Sequence, residues 1–125
     1  MRKIERIMVH AVLTGRNMNQ DNTKVVHTVD RAYVYLHGHN IAQVFDDYLI
    51  INDCGWQTVT TKSRLNALLH ELGHGAGITQ RSYAWYLLGT EQGTVEMNSR
   101  EWYYVPSPAT ASIPLSTQAG ALSND

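Results

Sequence analysis

The stretch Thr60-Thr61-Lys62-Ser63-Arg64-Leu65-Asn66-Ala67-Leu68-Leu69-His70-Glu71-Leu72-Gly73-His74-Gly75-Ala76-Gly77 constrains the fold most, because it is the one emphatic helical pattern between runs of β-type sequence. Leu65, Leu68, Leu69 and Leu72 recur at three- and four-residue spacing and so share one helix face. Thr60 or Thr61 can act as N-cap, and Gly73, after the last periodic leucine, is the natural left-handed stop. Ala, Leu, Arg and Lys favour the interior, and no proline interrupts it. The pattern predicts a helix over about residues 61–73 that covers one side of a β-sheet core. At about 100° per residue His70 falls opposite the leucines and faces out.

The same stretch spells His-Glu-x-x-His at 70–74. Two imidazoles four residues apart on a helix can reach one zinc ion, with Glu71 activating the bound water. Continued to Gly77, the run resembles the metzincin peptidases, whose next ligand is a histidine three residues further on. That position is Gln80, which cannot supply an imidazole. Glu91 or Glu96 would suit the other zincin arrangement, but neither lies on an evident helix, and Met97 alone invites comparison with the metzincin methionine turn. If Gly73 ends the helix, His74 falls outside it and the spacing fails; running the helix through Gly73 costs about 1 kcal/mol relative to alanine. A solvated helix end with two incidental histidines is the simpler reading. A zinc-dependent hydrolase or peptidase, with His70 and His74 as ligands and Glu71 as catalyst, is the alternative.

A chain of 125 residues is long enough for one domain and too short for two. Its net charge of −1 excludes a general basic field, so any nucleic-acid surface must be local. Cys54 stands alone, which excludes an intrachain disulfide and suits a reducing cytoplasm. Arg2, Lys3 and Arg6 precede an apolar run from Ile7 to Leu13, but His10 breaks it, and neither a signal peptide nor a membrane span is expected.

Ile4 to Leu13 is β-branched enough to suggest a first strand, with a short helix as the other option. Further strands are expected at Lys24–Thr28, Arg31–Leu36, Ile41–Phe45 and Tyr48–Asn52, with turns at His37-Gly38-His39-Asn40 and Asp46-Asp47. After the helix come one long strand over Ile78–Leu88, a strand over Thr94–Met97 and another over Arg100–Val105. The expected fold class is α+β: an antiparallel meander of about six to eight strands with one main helix packed on one face. Residues 1–105 form this domain. Residues 106–125, rich in Pro, Ser and Ala, are expected to be a tail that is flexible or packs on a neighbouring subunit of a homo-oligomer.

Three of these strands share a spacing. Arg31-x-Tyr33-x-Tyr35, Arg81-x-Tyr83-x-Trp85 and Arg100-x-Trp102-x-Tyr104 each put one guanidinium and two rings on a single strand face if the strands are regular. Rings of this kind stack on unpaired bases, and arginines meet phosphates. Lys62 and Arg64 on the first turns of the helix would extend the positive stripe. Aromatic residues are also common in β-sheet cores, so the opposing expectation is that these rings face inward or a partner.

The words Asn22-Thr23, Tyr35-Leu36-His37-Gly38, Ile41-Ala42, Gly55-Trp56, Thr60-Thr61-Lys62-Ser63-Arg64-Leu65-Asn66, Gln80-Arg81 and Trp85-Tyr86 give a middle region, about residues 22–86, that resembles small accessory proteins of tailed bacteriophages. The resemblance implies action in the host cytoplasm, in relatives that carry no His-Glu-x-x-His at this place. The expected function is binding of single-stranded nucleic acid through arginine and stacked rings. Zinc hydrolysis and the binding or inhibition of a host protein are the alternatives.

Overall fold

The computed structural model describes residues 1–107, and the expectation of a tail lies almost wholly outside them. The first element is a helix, α1 (Lys3–Thr14), where a strand was expected. Its buried positions, Ile4, Glu5, Met8, Val9, Ala11 and Val12, follow three- and four-residue steps, so helical spacing wins over β-branched content. Glu5 accepts the Arg2 backbone N–H at 3.2 Å, half of a capping box, and Gly15 closes the far end at φ 73°.

Five strands follow: β1 (Met18–Gln20), β2 (Thr23–His27), β3 (Ala32–Leu36), β4 (His39–Val44) and β5 (Tyr48–Ile51). Then come α2 (Val59–Leu72), β6 (Gly77–Arg81), β7 (Ala84–Thr90), β8 (Gly93–Glu96) and β9 (Tyr103–Pro106). All pairings are antiparallel, and they make two sheets rather than one. The larger runs β1-β2-β3-β4-β5-β9, the smaller β6-β7-β8. The last strand therefore returns across the molecule to pair with β5.

The leucine stripe is buried as expected: Leu65, Leu68 and Leu69 are fully enclosed and Leu72 nearly so. Thr58 caps α2, its hydroxyl accepting the Thr61 N–H at 3.2 Å. Gly73 ends the helix, but at φ −88°; the left-handed residues are His74 and Gly75. Glycine is needed at 73 for room, since a Cβ there would stand 2.8 Å from the Leu69 carbonyl oxygen.

Both helices lie on one face of the larger sheet, α1 over β1 and β2, α2 over β4, and α2 also flanks β6. Met8, Val25, Val34, Ile41, Leu49, Trp85, Leu87 and Val105 join the leucines in a single core. Asn66 stitches α2 to β6 by donating to the Ile78 carbonyl at 3.0 Å and accepting its N–H at 2.7 Å. A buried polar knot ties α1, α2 and β2. Arg64 pairs with Glu5 at 2.9 Å and donates to the Thr23 hydroxyl at 3.0 Å, while Ser63 donates to Glu5.

Two expected strands are broken. Ile78–Leu88 is a hairpin, because Ser82 and Tyr83 both take positive φ (49° and 72°) and turn the chain in two residues. Arg100, at φ 70°, still belongs to the turn before β9, so the last strand starts only at Tyr103.

Candidate functional site

With the helices on one side, the other face of the larger sheet carries no further layer among the described residues, and its side chains are half-buried to exposed. Alternation in β3 buries Ala32, Val34 and Leu36 beneath the helices and turns Tyr33 and Tyr35 outward. Register extends that outer face. Val26 pairs with Tyr33, Tyr33 with Gln43, Gln43 with Ile50 and Ile50 with Tyr104, a row crossing β2, β3, β4, β5 and β9. Beside it run Lys24, Tyr35 and Asn40. A register shift after Val34 keeps Asn40 opposite Tyr35.

Five rings stand on this face. Tyr33 and Tyr35 stack with centroids 6.4 Å apart, Phe45 and Tyr48 at 4.5 Å, and Tyr48 and Tyr104 at 5.1 Å. The Arg31 guanidinium bridges the two groups, 4.5 Å from the Phe45 centroid and 5.7 Å from that of Tyr33. The Lys24 ammonium sits 5.0 Å over Tyr35. Phe45 and Tyr48 meet because they flank the Asp46-Asp47 turn and join through the Phe45 N–H to the Tyr48 carbonyl.

Polar contacts hold the centre of the face in place. Arg31 donates to both carboxylate oxygens of Asp30 at 3.1 Å and to Gln43 at 3.0 Å. Gln43 donates to Asn40 at 2.9 Å, and Asn40 donates to the Val34 and Ala42 carbonyls. The Arg31 hydrogen bonds hold the Asp30 carboxyl below its ordinary range, and Asp30 in turn pushes Arg31 up. Much of the Arg31 charge is thereby offset, and exposed Asp46 and Asp47 border the platform. The rings of this face lie against one another and against Arg31 and Lys24, and those two cations are outnumbered by the bordering carboxylates of Asp30, Asp46 and Asp47.

Of the sequence-expected residues, Arg31, Tyr33, Tyr35 and Tyr104 come together here. The others do not. Arg64 is 4 % exposed inside its ion pair, and Trp85 is 1 % exposed in the core, so neither can meet a ligand from solvent. Tyr83 projects from the β6–β7 turn at 92 % exposure, with Arg81 nearby over Tyr86. Lys62 belongs to the helical layer and reaches Gln80 at 3.4 Å. Arg100 packs against Gly55, and Trp102 is exposed just before β9. Lys24, Phe45 and Tyr48 complete the platform and were not anticipated. The Asp46-Asp47 turn was a usable signal, because a two-residue turn forces its flanking residues opposite one another.

The geometry that a zinc site needs is not formed at 70–74. His74 lies beyond the helix at φ 49°, which destroys the i,i+4 relation to His70. His70 and Glu71 border a groove between α1 and α2, with 3.6 Å between Nε2 and the carboxylate, and His74 is not in its lining. Among the described residues no group of three or more His, Cys, Asp or Glu converges as a ligand set. These residues do not fit the metal.

No helix among the described residues is long and apolar enough to cross a membrane. A family model described as Kyanoviridae Gp96 protein matches residues 1–107. No curated protein and no solved structure matches the chain.

Proposed function

The chain belongs to the Kyanoviridae Gp96 protein family, a bacteriophage family, and from that premise we propose that it is an accessory protein binding single-stranded nucleic acid in the host cytoplasm. The observation that carries this is the outward row Tyr33, Tyr35, Phe45, Tyr48 and Tyr104, with Lys24 and Arg31 over the rings. Duplex bases hide their π faces, whereas an unpaired base can extend the stack at a ring open to solvent, such as Tyr104, which is 56 % exposed. From β3 to β9 the platform spans three strand spacings, about 14 Å, room for a few nucleotides.

Two cations, one of them offset by Asp30, make stacking the main source of affinity. For a single strand the log–log salt slope is about −0.7 per phosphate neutralised, so about −1.4 is the steepest expected. Anisotropy titration of a labelled single-stranded 12-mer tests the reading. Tyr35→Ala and Tyr104→Ala should each weaken binding about fivefold or more, since a stacked base is worth about 1–3 kcal/mol. No binding by the unaltered protein, or binding indifferent to both changes, would refute it.

A second reading is favoured by the acidic border of Asp30, Asp46 and Asp47. The rings would then anchor a host protein or a second copy of this chain. Self-association or host-protein capture by the unaltered protein, lost in Tyr35→Ala, with no oligonucleotide affinity, would select it.

A further inference from the structure

A separate concavity of about 430 Å3 opens between the β3–β4 hairpin and the segment leading into α2. Leu36 and Ile41 form its apolar floor, and His37, His39, Trp56 and Thr60 stand around it. The Trp56 ring is 55 % exposed, and the His39 imidazole lies 5.9 Å from it, inclined by 35°.

The chain goes to some length to hold that indole in the open. Cys54 and Gly55 both take positive φ, 57° and 85°. The Asp53 carboxylate, 1 % exposed, accepts the N–H groups of Gly55 and Arg100 and the Gln57 amide, each at 2.8 Å. The Trp56 N–H donates to the Asp53 carbonyl, and the Thr58 N–H to the Trp56 carbonyl, both at 2.9 Å. A side chain at Gly55 would be strained at this φ and would displace the Arg100 guanidinium, since a Cβ there would stand 2.7 Å from Nε. Backbone held in sparsely populated conformations by many contacts is a recurrent feature of binding sites. Here it fixes an exposed indole at the mouth of an apolar-floored cleft.

We propose that this cleft takes one unpaired nucleobase, stacked on Trp56 beside His39, as a subsite for the strand that lies on the sheet face. The proposal rests on the nucleic-acid reading above. A volume near 430 Å3 falls within the usual range for small-ligand pockets, about 300–1,000 Å3. An indole and an imidazole over an apolar floor favour a planar heteroaromatic ring over an aliphatic chain. Continuity with the platform names its source. Tyr35 and Asn40 pair on the outer face, and the next pair along the same hairpin, Leu36 and His39, turns to the opposite face and lines the cleft, so the hairpin tip joins the two. Gly38 at the hairpin tip has nothing within 4 Å of its Cβ position, so a strand leaving the platform over the tip meets the cleft next.

The test follows tryptophan emission of the full chain titrated with adenosine, cytidine and ribose 5-phosphate, and anisotropy with the 12-mer. Both nucleosides should quench saturably and ribose 5-phosphate should not. Trp56→Ala should abolish the quenching and weaken the 12-mer about fivefold to a hundredfold, and Trp56→Phe, which keeps a π face, should retain part of that affinity. Tyr33→Ala/Tyr35→Ala should lose 12-mer affinity while nucleoside quenching persists. Nucleoside quenching that depends on Trp56, in a protein that does not bind the 12-mer, would keep the cleft as a base site and remove only the sheet-face reading. No saturable nucleoside response, an equal response to ribose 5-phosphate, or unchanged 12-mer affinity in Trp56→Ala would overturn the proposal.

Discussion

Arg64→Met is the most informative single change for the architecture. Arg64 and Glu5 are 5 % and 3 % exposed and 2.9 Å apart, and they join α1 to α2. Removing the guanidinium leaves a buried carboxylate with only the Ser63 hydroxyl and the Arg2 N–H for company. Breaking a buried pair in this way costs about 3–5 kcal/mol. A domain of this size has about 5–15 kcal/mol in all, so a large part of the stability should vanish. Replacing both partners, Glu5→Leu/Arg64→Met, strands no charge and should cost far less. Burial, the largest single influence on Glu5, pushes its carboxyl up, but hydrogen bonds from Ser63, the Arg2 backbone and Arg64, with the Arg64 charge, outweigh it and leave it below its ordinary value. A depressed native value means that this contribution is complete above the unfolded-chain value of about 4.3 and is lost as pH falls through the lower native one. Urea unfolding at pH 7 and along an acid series, followed by tryptophan emission, measures both effects. A loss below about 1 kcal/mol for Arg64→Met, or a double variant as damaged as the single one, would refute the reasoning.

Asn66→Ala should cost about 1–3 kcal/mol by orphaning the Ile78 N–H and carbonyl, and hydrogen exchange should rise first in β6. Lys24→Ala should flatten the salt slope of 12-mer binding by about 0.7, whereas Asp30→Asn, which frees Arg31 of its counter-charge, should tighten binding. His70→Ala and His74→Ala should leave the melting temperature unchanged, and neither zinc nor a chelator should shift it, as differential scanning fluorimetry would show; stabilisation by stoichiometric zinc would contradict the geometry at the end of α2.

Local pattern made α2 legible, because four leucines on one face admit no other element. The meander from β2 to β5 was legible for the same reason, through alternation and turn chemistry. Failures came where a residue without a turn signature turned the chain. Ser82, Tyr83 and Arg100 all take positive φ without being glycine or asparagine, and they break two of the three arginine–aromatic strands. In α1, β-branched content masked a helical spacing that Gly15 closes. Arg64 reads as part of a positive stripe because its partner, Glu5, lies 59 positions away. Alternation alone sets Tyr33 and Tyr35 opposite the buried Ala32, Val34 and Leu36, but their neighbours Phe45, Tyr48 and Tyr104 depend on register between strands, which a single strand does not encode.

Photocrosslinking locates the contact surface directly. A 4-thiouridine 12-mer irradiated with the protein, followed by mass spectrometry of the adducts, should label Tyr33, Tyr35, Phe45, Tyr48 and Tyr104 on the outward face of the six-stranded sheet. Adducts confined to the groove between α1 and α2, or none at saturating oligonucleotide, would contradict the account.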